Sequence, residues 1–302
     1  MNEQNKPIAY YHLPGLFEHF EFYREYLKLY KTRREYFYDW CEIGSIYGAP
    51  GNCIWGGGRI ECGSAYLEEI VDFMNEYRIS SRLTFSNSQL KEEHLEDAHC
   101  NQLLSYFVDR SDCRCGVTIY SDLLLDYLAK KYPDLYFVSS TTKVLTKVEE
   151  LRKELNRKEF EYVVPDFRFN KKFEELDCFS QKEKDKVEFL CNECCSVGCK
   201  QRKECYEAVS KQTLGIESDH KCKSTFAKNG YQFSKAMENP AFISIEDIKN
   251  VYLPKGFSNF KIEGRGLGSA LVLEMLIYYM VKPKYQIHVR ESIYLDNMLD
   301  LF

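Results

Sequence analysis

Residues 117–139 read VTIYSDLLLDYLAKKYPDLYFVS. A short apolar run (117–120) is followed by a helix-like stretch (123–132) and a second apolar run (135–139). A strand, a covering helix and a second strand in this little chain make a parallel β/α unit. The pattern extends in both directions. Upstream, strands are expected at 37–46 and 82–86, with helices at 64–77 and 91–107. Within SNSQLKEEH, Ser88 is the expected N-cap of the second of these helices, with Glu92 and Glu93 near its positive end. Downstream, helices at 143–156 and 171–178 frame a strand at 162–165, and a strand at 187–190 follows. After an irregular segment to about Pro240, a weak strand is expected at 242–245 and a further strand at 260–262, with helices at 245–251 and 268–281. Eight β/α repeats predict an α/β fold, a (β/α)8 TIM-type barrel. The alternative is a doubly wound open sheet, but no GxGxxG follows the first expected strand. The expected organisation is one domain, 1–302, with a barrel core at about 36–282. Residues 1–35 are then a helical N-terminal extension and 283–302 a C-terminal tail.

The 302 residues are enough for a large single core. Charge −5 and pI near 5.8 give no sign of a nucleic-acid surface. With 23 tyrosines and 20 phenylalanines, a dense core and a ring-lined pocket are expected. No apolar run approaches the ~20 residues of a membrane span. The first residues, MNEQNKPIAYYHLPG, lack the charged and apolar regions of a signal peptide, so a cytoplasmic location is expected. In a reducing compartment the 13 cysteines are not a disulfide framework. Cys41, Cys62 and Cys100 lie in periodic segments and read as small buried hydrophobes.

Five of the cysteines fall within residues 191–205, CNECCSVGCKQRKEC, directly after the expected sixth strand. Thiols at a strand end pack a core poorly and ligate metals well. In a barrel this position is also the C-terminal face, where active sites gather. The candidate ligands are Cys191, Cys194, Cys195, Cys199, Cys205 and Cys222. Zinc prefers paired CxxC spacings, and only Cys191–Cys194 forms one. The uneven spacing suits an iron–sulfur site better, with zinc as the alternative. Lys200, Arg202 and Lys203 would offset its charge.

Residues 192–207, NECCSVGCKQRKECYE, resemble the cysteine loop of the collagenase-like peptidase family, family U thirty-two. They are most similar to a branch with the pattern NExCxxxCxxR, which places Asn192, Glu193, Cys195, Cys199 and Arg202. SRLTFSNSQL, VSSTTK and FKIEGRG (81–90, 138–143 and 260–266) resemble its strand ends. The resemblance implies a (β/α)8 barrel and a four-cysteine [4Fe–4S] cluster, by position on Cys195, Cys199, Cys205 and Cys222. It also implies the chemistry of relatives that hydroxylate ubiquinone precursors or RNA bases without oxygen; other relatives carry a peptidase label.

The remaining candidates follow strand ends. Gly264-Arg265-Gly266 before an apolar helix suits a phosphate or carboxylate, although Arg265 could simply pair with Glu263 or another acid. Tyr47 and the glycine-rich loop containing Arg59 lie on the same face, with Trp55 either stacking on a planar substrate or covering the mouth. Asn87 is a further substrate-binding candidate. Glu193, Asp166 and Glu263 are candidate acids or bases. The plainer expectation pairs Asp166 with Arg168, and each glutamate with Arg202 or Arg265. His220 is placed to lie near the cysteines. No GxSxG, HExxH or Walker loop occurs. The expected function is an iron–sulfur oxidoreductase or oxygen-independent hydroxylase. Its substrate would be a small or planar anion, including a modified base, and a redox protein would be its partner. The alternatives are a peptidase-like hydrolase and a non-catalytic interaction or sensor protein stabilised by an iron–sulfur or zinc centre.

Overall fold

A computed structural model of the chain describes residues 7–57, 67–223 and 230–295. Eight parallel strands form its centre: β1 (Ala9–Pro14), β2 (Cys41–Gly48), β3 (Ser80–Phe85), β4 (Gly116–Ile119), β5 (Tyr136–Ser139), β6 (Phe160–Val163), β7 (Glu188–Leu190) and β8 (Asn259–Lys261). Their order is β6-β5-β4-β3-β2-β1-β8-β7. A parallel bridge between Val163 and Val187 then brings β6 back to β7. The ring is nearly closed, a (β/α)8 TIM-type barrel. Closure of this kind leaves no long strand edge exposed. Helices Phe20–Thr32, Leu67–Tyr77, Ala98–Arg110, Asp122–Lys131, Val148–Leu155 and Ser269–Met280 alternate with the strands. The last is apolar almost all round and buried accordingly, including Leu273, Leu276 and Met280.

Two expectations about the strands are corrected. The segment 1–35 is not merely a helical extension, because it contains β1, which pairs with both β2 and β8. Its six residues, AYYHLP, carry a histidine in an otherwise apolar run, and such a polar interruption hides a short strand. Residues 242–245 form no strand. Ile243 N donates to Cys191 O (3.0 Å), and Ser244 caps the short helix Ile245–Asp247 in a reciprocal pair with Asp247. The barrel therefore starts at Ala9, and the cysteine loop follows the seventh strand rather than the sixth. Both placements put the loop on the C-terminal face.

The helix expected from residue 91 begins at Ala98, capped by Asp97, whose Oδ1 accepts from Cys100 N at 2.8 Å. Ser88 is not its cap; residues Glu92–His94 make a separate 3-10 turn. After Met280 the chain folds back as short helical turns, with Val289 and Ile293 buried and Tyr285 stacked on Tyr36 at 4.4 Å.

Most of the core lies between barrel and helices. Inside the barrel, Tyr136, Val138, Val164 and Leu190 form a separate small apolar cluster. The rest of the interior is polar. His12, Ser45, Arg82, Glu188 and Asn259 are buried there beside Lys261. Barrels of this kind more often fill this space with layers of branched apolar residues.

Candidate active site at the barrel mouth

The pleat sends alternate side chains of each strand inward. Above the polar layer this leaves a cavity of about 220 Å³ at the C-terminal face. Tyr47 of β2, Thr84 and Ser86 at β3, Thr118 of β4, Ser140–Thr142 after β5, Val164 after β6, Leu190 of β7 and Lys261 of β8 line it. Glu263–Leu267 and Tyr206 complete the wall. One side is rich in hydroxyls, and the other carries Lys261 and Arg265.

The floor is one hydrogen-bonded unit. Arg82 Nη1 donates to Glu188 Oε2 at 2.6 Å, and Arg82 Nη2 donates to His12 Nδ1 at 3.0 Å. Because Nδ1 accepts, the His12 proton sits on Nε2, facing Asn259 Oδ1 (3.4 Å) and Glu188 Oε2 (3.5 Å). Burial pushes His12 down to about 3, against the pull of Glu188, so the imidazole is neutral at neutral pH. Burial acts to raise the Glu188 carboxyl, but Arg82, His12 and Lys261 together hold it at about 2. Arg82 is further covered by the rings of Tyr136 and Tyr162, at 5.6 and 5.3 Å. Lys261 Nζ lies 3.4 Å from Glu188 Oε1 and 3.4 Å from the Tyr47 ring centre. Burial lowers Lys261 to about 7; Glu188 opposes this, while Arg82 and Arg265 reinforce it.

Beside the cavity, the cysteine loop is built on a second buried ion network. Arg202 Nη2 is 2.5 Å from Glu193 Oε2, and its Nε is 3.4 Å from Asp166 Oδ2. Arg168 holds the other side of Asp166, with Nε to Oδ1 at 2.5 Å, and donates to Cys199 O at 3.0 Å. Glu193 Oε1 accepts from Cys195 N at 2.9 Å. Asn239 Nδ2 donates to Glu193 O and Cys195 O. Asn192 ties the loop to β8, donating to Glu263 O (2.9 Å) and accepting from Glu263 N (2.7 Å). The expected Asp166–Arg168 and Glu193–Arg202 pairs are therefore both present.

The cysteines occupy different environments. Cys191 is fully buried, and burial raises its thiol well above the ordinary range. Cys194 is buried, Cys195, Cys199 and Cys205 are half-buried, and Cys222 is exposed. Burial pushes Cys195 up to about 11, opposed by Arg202 and reinforced by Glu193 and Cys199. Cys205 Sγ lies 3.0 Å from His220 Nε2, two residues before Cys222. This donor set fits a thiophilic centre. Cys195, Cys199 and Cys205 are partly accessible, the Cys195 and Cys199 thiols feel each other's charge, and Arg202 beside Cys195 would balance thiolate charge. Donor atoms of Glu193, Cys194 and Glu263 also lie within 4.8 Å of one another. Arg202 already neutralises Glu193, and we assign no ion to that group.

Among the sequence candidates, Tyr47, Glu263, Arg265 and Gly266 meet in the cavity wall. Arg265 pairs with Glu18 at 3.6 Å, a partner from the first β/α loop. Glu193 and Asp166 stand behind the wall: Arg202 bridges them and packs 5.2 Å from the Tyr206 ring, which faces the cavity. Asn87 is not in the lining. It staples loops together, donating to Ile54 O (2.8 Å) and Ser210 O (3.2 Å). Trp55 is buried against Phe85, with Nε1 donating to His94 O at 2.7 Å. Arg59 and Cys62 lie outside the described residues. Cys41 and Cys100 are buried, as expected, and Cys100 Sγ lies 2.7 Å from that of Cys53. Lys261, Arg82, Glu188 and Tyr206 are absent from the sequence candidates. For Arg82, Glu188 and Lys261 the signal was a charged residue at an inward position of an apolar strand, as in SSRLTF and VEFL, whereas Tyr206, on the helix Arg202–Thr213, carried no such signal.

The sequence matches no protein-family model and no curated protein. The solved structure of the U32 peptidase Mk0906 superimposes with a TM-score of 0.53, over 87% of this chain and 96% of that one. The two chains share a fold. At 15% identity the likeness extends to architecture alone.

Proposed function

We propose that this chain is an iron–sulfur enzyme that binds a small anionic substrate at the barrel mouth, beside a [4Fe–4S] cluster held by Cys195, Cys199, Cys205 and Cys222. The observation carrying this reading is shared construction. Tyr206 faces the cavity and packs on Arg202, and Glu263 faces the cavity and is pinned to Asn192 of the cysteine loop. The spacing NExCxxxCxxR supports the same assignment. The cluster would supply one-electron chemistry for an oxygen-independent oxidation or hydroxylation, with a redox protein as electron partner. The chain's own residues would hold the substrate. Arg265 and the Gly264–Gly266 backbone face its anionic group, Lys261 and Glu263 its reacting end, and the threonine and serine hydroxyls its polar edge. Anaerobically purified protein should contain about four irons and comparable sulfide per chain. It should be brown and bleach in air, and Cys195→Ala should lose the colour. A colourless, iron-free anaerobic preparation with bound zinc would sink the reading.

One contact favours a second reading, a cysteine hydrolase. Cys205 Sγ and His220 Nε2 are 3.0 Å apart, and His220 Nδ1 lies 3.9 Å from Glu204. A nucleophile must touch its substrate whereas a cluster ligand need not, and Cys205 is not part of the cavity lining, so the first reading is preferred. Iodoacetamide separates the two. A nucleophile would be alkylated selectively at Cys205 and protected from this by His220→Ala, whereas a cluster ligand would be alkylated only after iron is removed.

A further inference from the structure

We propose that Lys261 is a Schiff-base lysine, attaching a small 2-oxo acid covalently in the barrel cavity. This rests on the substrate cavity of the preceding section and is independent of whether the cysteine loop carries a cluster. Lys261 lies on β8, and its side chain forms part of the cavity wall. Among the described residues one carboxylate, Glu188, serves two cations there: Arg82 at 2.6 Å and Lys261 at 3.4 Å. The short contact belongs to Arg82. With Glu188 held at 2.6 Å by Arg82, its 3.4 Å contact to Lys261 offsets only part of the cost of burying an ammonium. Losing a proton from Lys261 removes that cost, and guanidinium does not give one up. The amine so produced is a nucleophile; the lowered Lys261 titration, near 7, agrees with it.

The partner chemistry follows from the wall. An amine needs an electrophilic carbon, and a carbonyl is the form an amine attacks reversibly. Arg265, braced by Glu18 at 3.6 Å, provides a cation on the same side of the cavity for a carboxylate. Glu263 lies two residues beyond Lys261 and also faces the cavity, where a carboxyl group can relay protons. The step balances simply. The Nζ lone pair forms the C–N bond, the carbonyl oxygen leaves as water with both amine hydrogens, and hydrolysis reverses the sequence. The volume of about 220 Å³ suits a substrate of a few carbons.

The test uses anaerobically purified full-length protein incubated with pyruvate and cyanoborohydride, followed by peptide mass mapping. Reduction traps the imine as a secondary amine, adding one pyruvic acid less one oxygen atom. Lys261 should be labelled about tenfold faster than the exposed Lys158 and Lys182, because far more of it is neutral near pH 7. Acetone, which lacks the carboxylate, gives the second arm. Arg265→Gln should slow labelling by pyruvate about tenfold and leave labelling by acetone unchanged. Lys261→Met should abolish the adduct while other lysines label as before. Equal labelling of Lys261 and surface lysines overturns the proposal, as does no label at Lys261. Acetone labelling without any preference for pyruvate overturns the 2-oxo acid assignment.

Discussion

Arg82 and Glu188 are both fully buried, so their importance shows when one partner is removed. Arg82→Met leaves a carboxylate in the barrel facing only Lys261 and neutral His12. Loss of one member of a buried ion pair costs about 3–5 kcal/mol, and urea unfolding should show a loss of that order. Arg82→Met/Glu188→Leu should recover much of it, because the orphaned charge is gone. A double variant less stable than Arg82→Met would refute the account. Arg202 plays the matching part in the cysteine loop, between Glu193 and Asp166. Arg202→Met should destabilise by about 3 kcal/mol and, because it lies beside Cys195, also lower iron retention. Lost stability with unchanged iron content would separate it from the metal site.

At the scale of the element, β1 and β2 show how a glycine fixes a layer of the barrel interior. The β1–β2 register shifts between Tyr11 and His12, where Gly44 is the extra residue of β2. A Cβ on Gly44 would sit 2.8 Å from His12 Cε1 and 3.1 Å from Nδ1. The bulge therefore makes room for the imidazole that accepts from Arg82. Gly44→Ala should cost about 1–3 kcal/mol through overpacking, read as a lower denaturant midpoint. Gly44→Ala with the stability of the parent would show that the bulge has no such duty. The helix Ala98–Arg110 gives a smaller case. Removing the cap with Asp97→Ala should cost about 1 kcal/mol, whereas Ser88→Ala should not change the helix end.

For the whole molecule, the polar barrel interior sets how stability varies with pH. His12 is lowered from 6.5 to about 3, so between those values only the unfolded chain takes up the proton. Its contribution is present above 6.5 and is lost as pH falls toward 3. Glu188 is lowered from 4.5 to about 2, so its contribution is lost between those values on acidification. Lys261 is lowered from 10.5 to about 7, so the unfolded chain also holds the extra proton there, and stability rises as pH climbs above 7. All three have the same sign. Urea midpoints should rise from pH 4 to 6 and again to 8, with Lys261→Met flattening the upper limb. A maximum near pH 5 would contradict the assignment of these groups.

Features that depend on near neighbours were legible along the chain. The β/α alternation, the position of the cysteine loop at a strand end, and the Asp166–Arg168 and Glu193–Arg202 pairs all lie within short stretches of chain. Which strand closes the ring, and what fills it, emerged from long-range packing. β1 is six residues long and gains its identity from β2 and β8, one close in sequence and the other at the far end of the chain. The floor joins His12, Arg82, Glu188 and Lys261 from four strands, 70 residues separating the first pair and 106 the second. Lys261 reads as an ordinary surface charge until the barrel closes around it. A side chain's solvation depends on every segment packed against it, whereas periodicity records only the segment it belongs to.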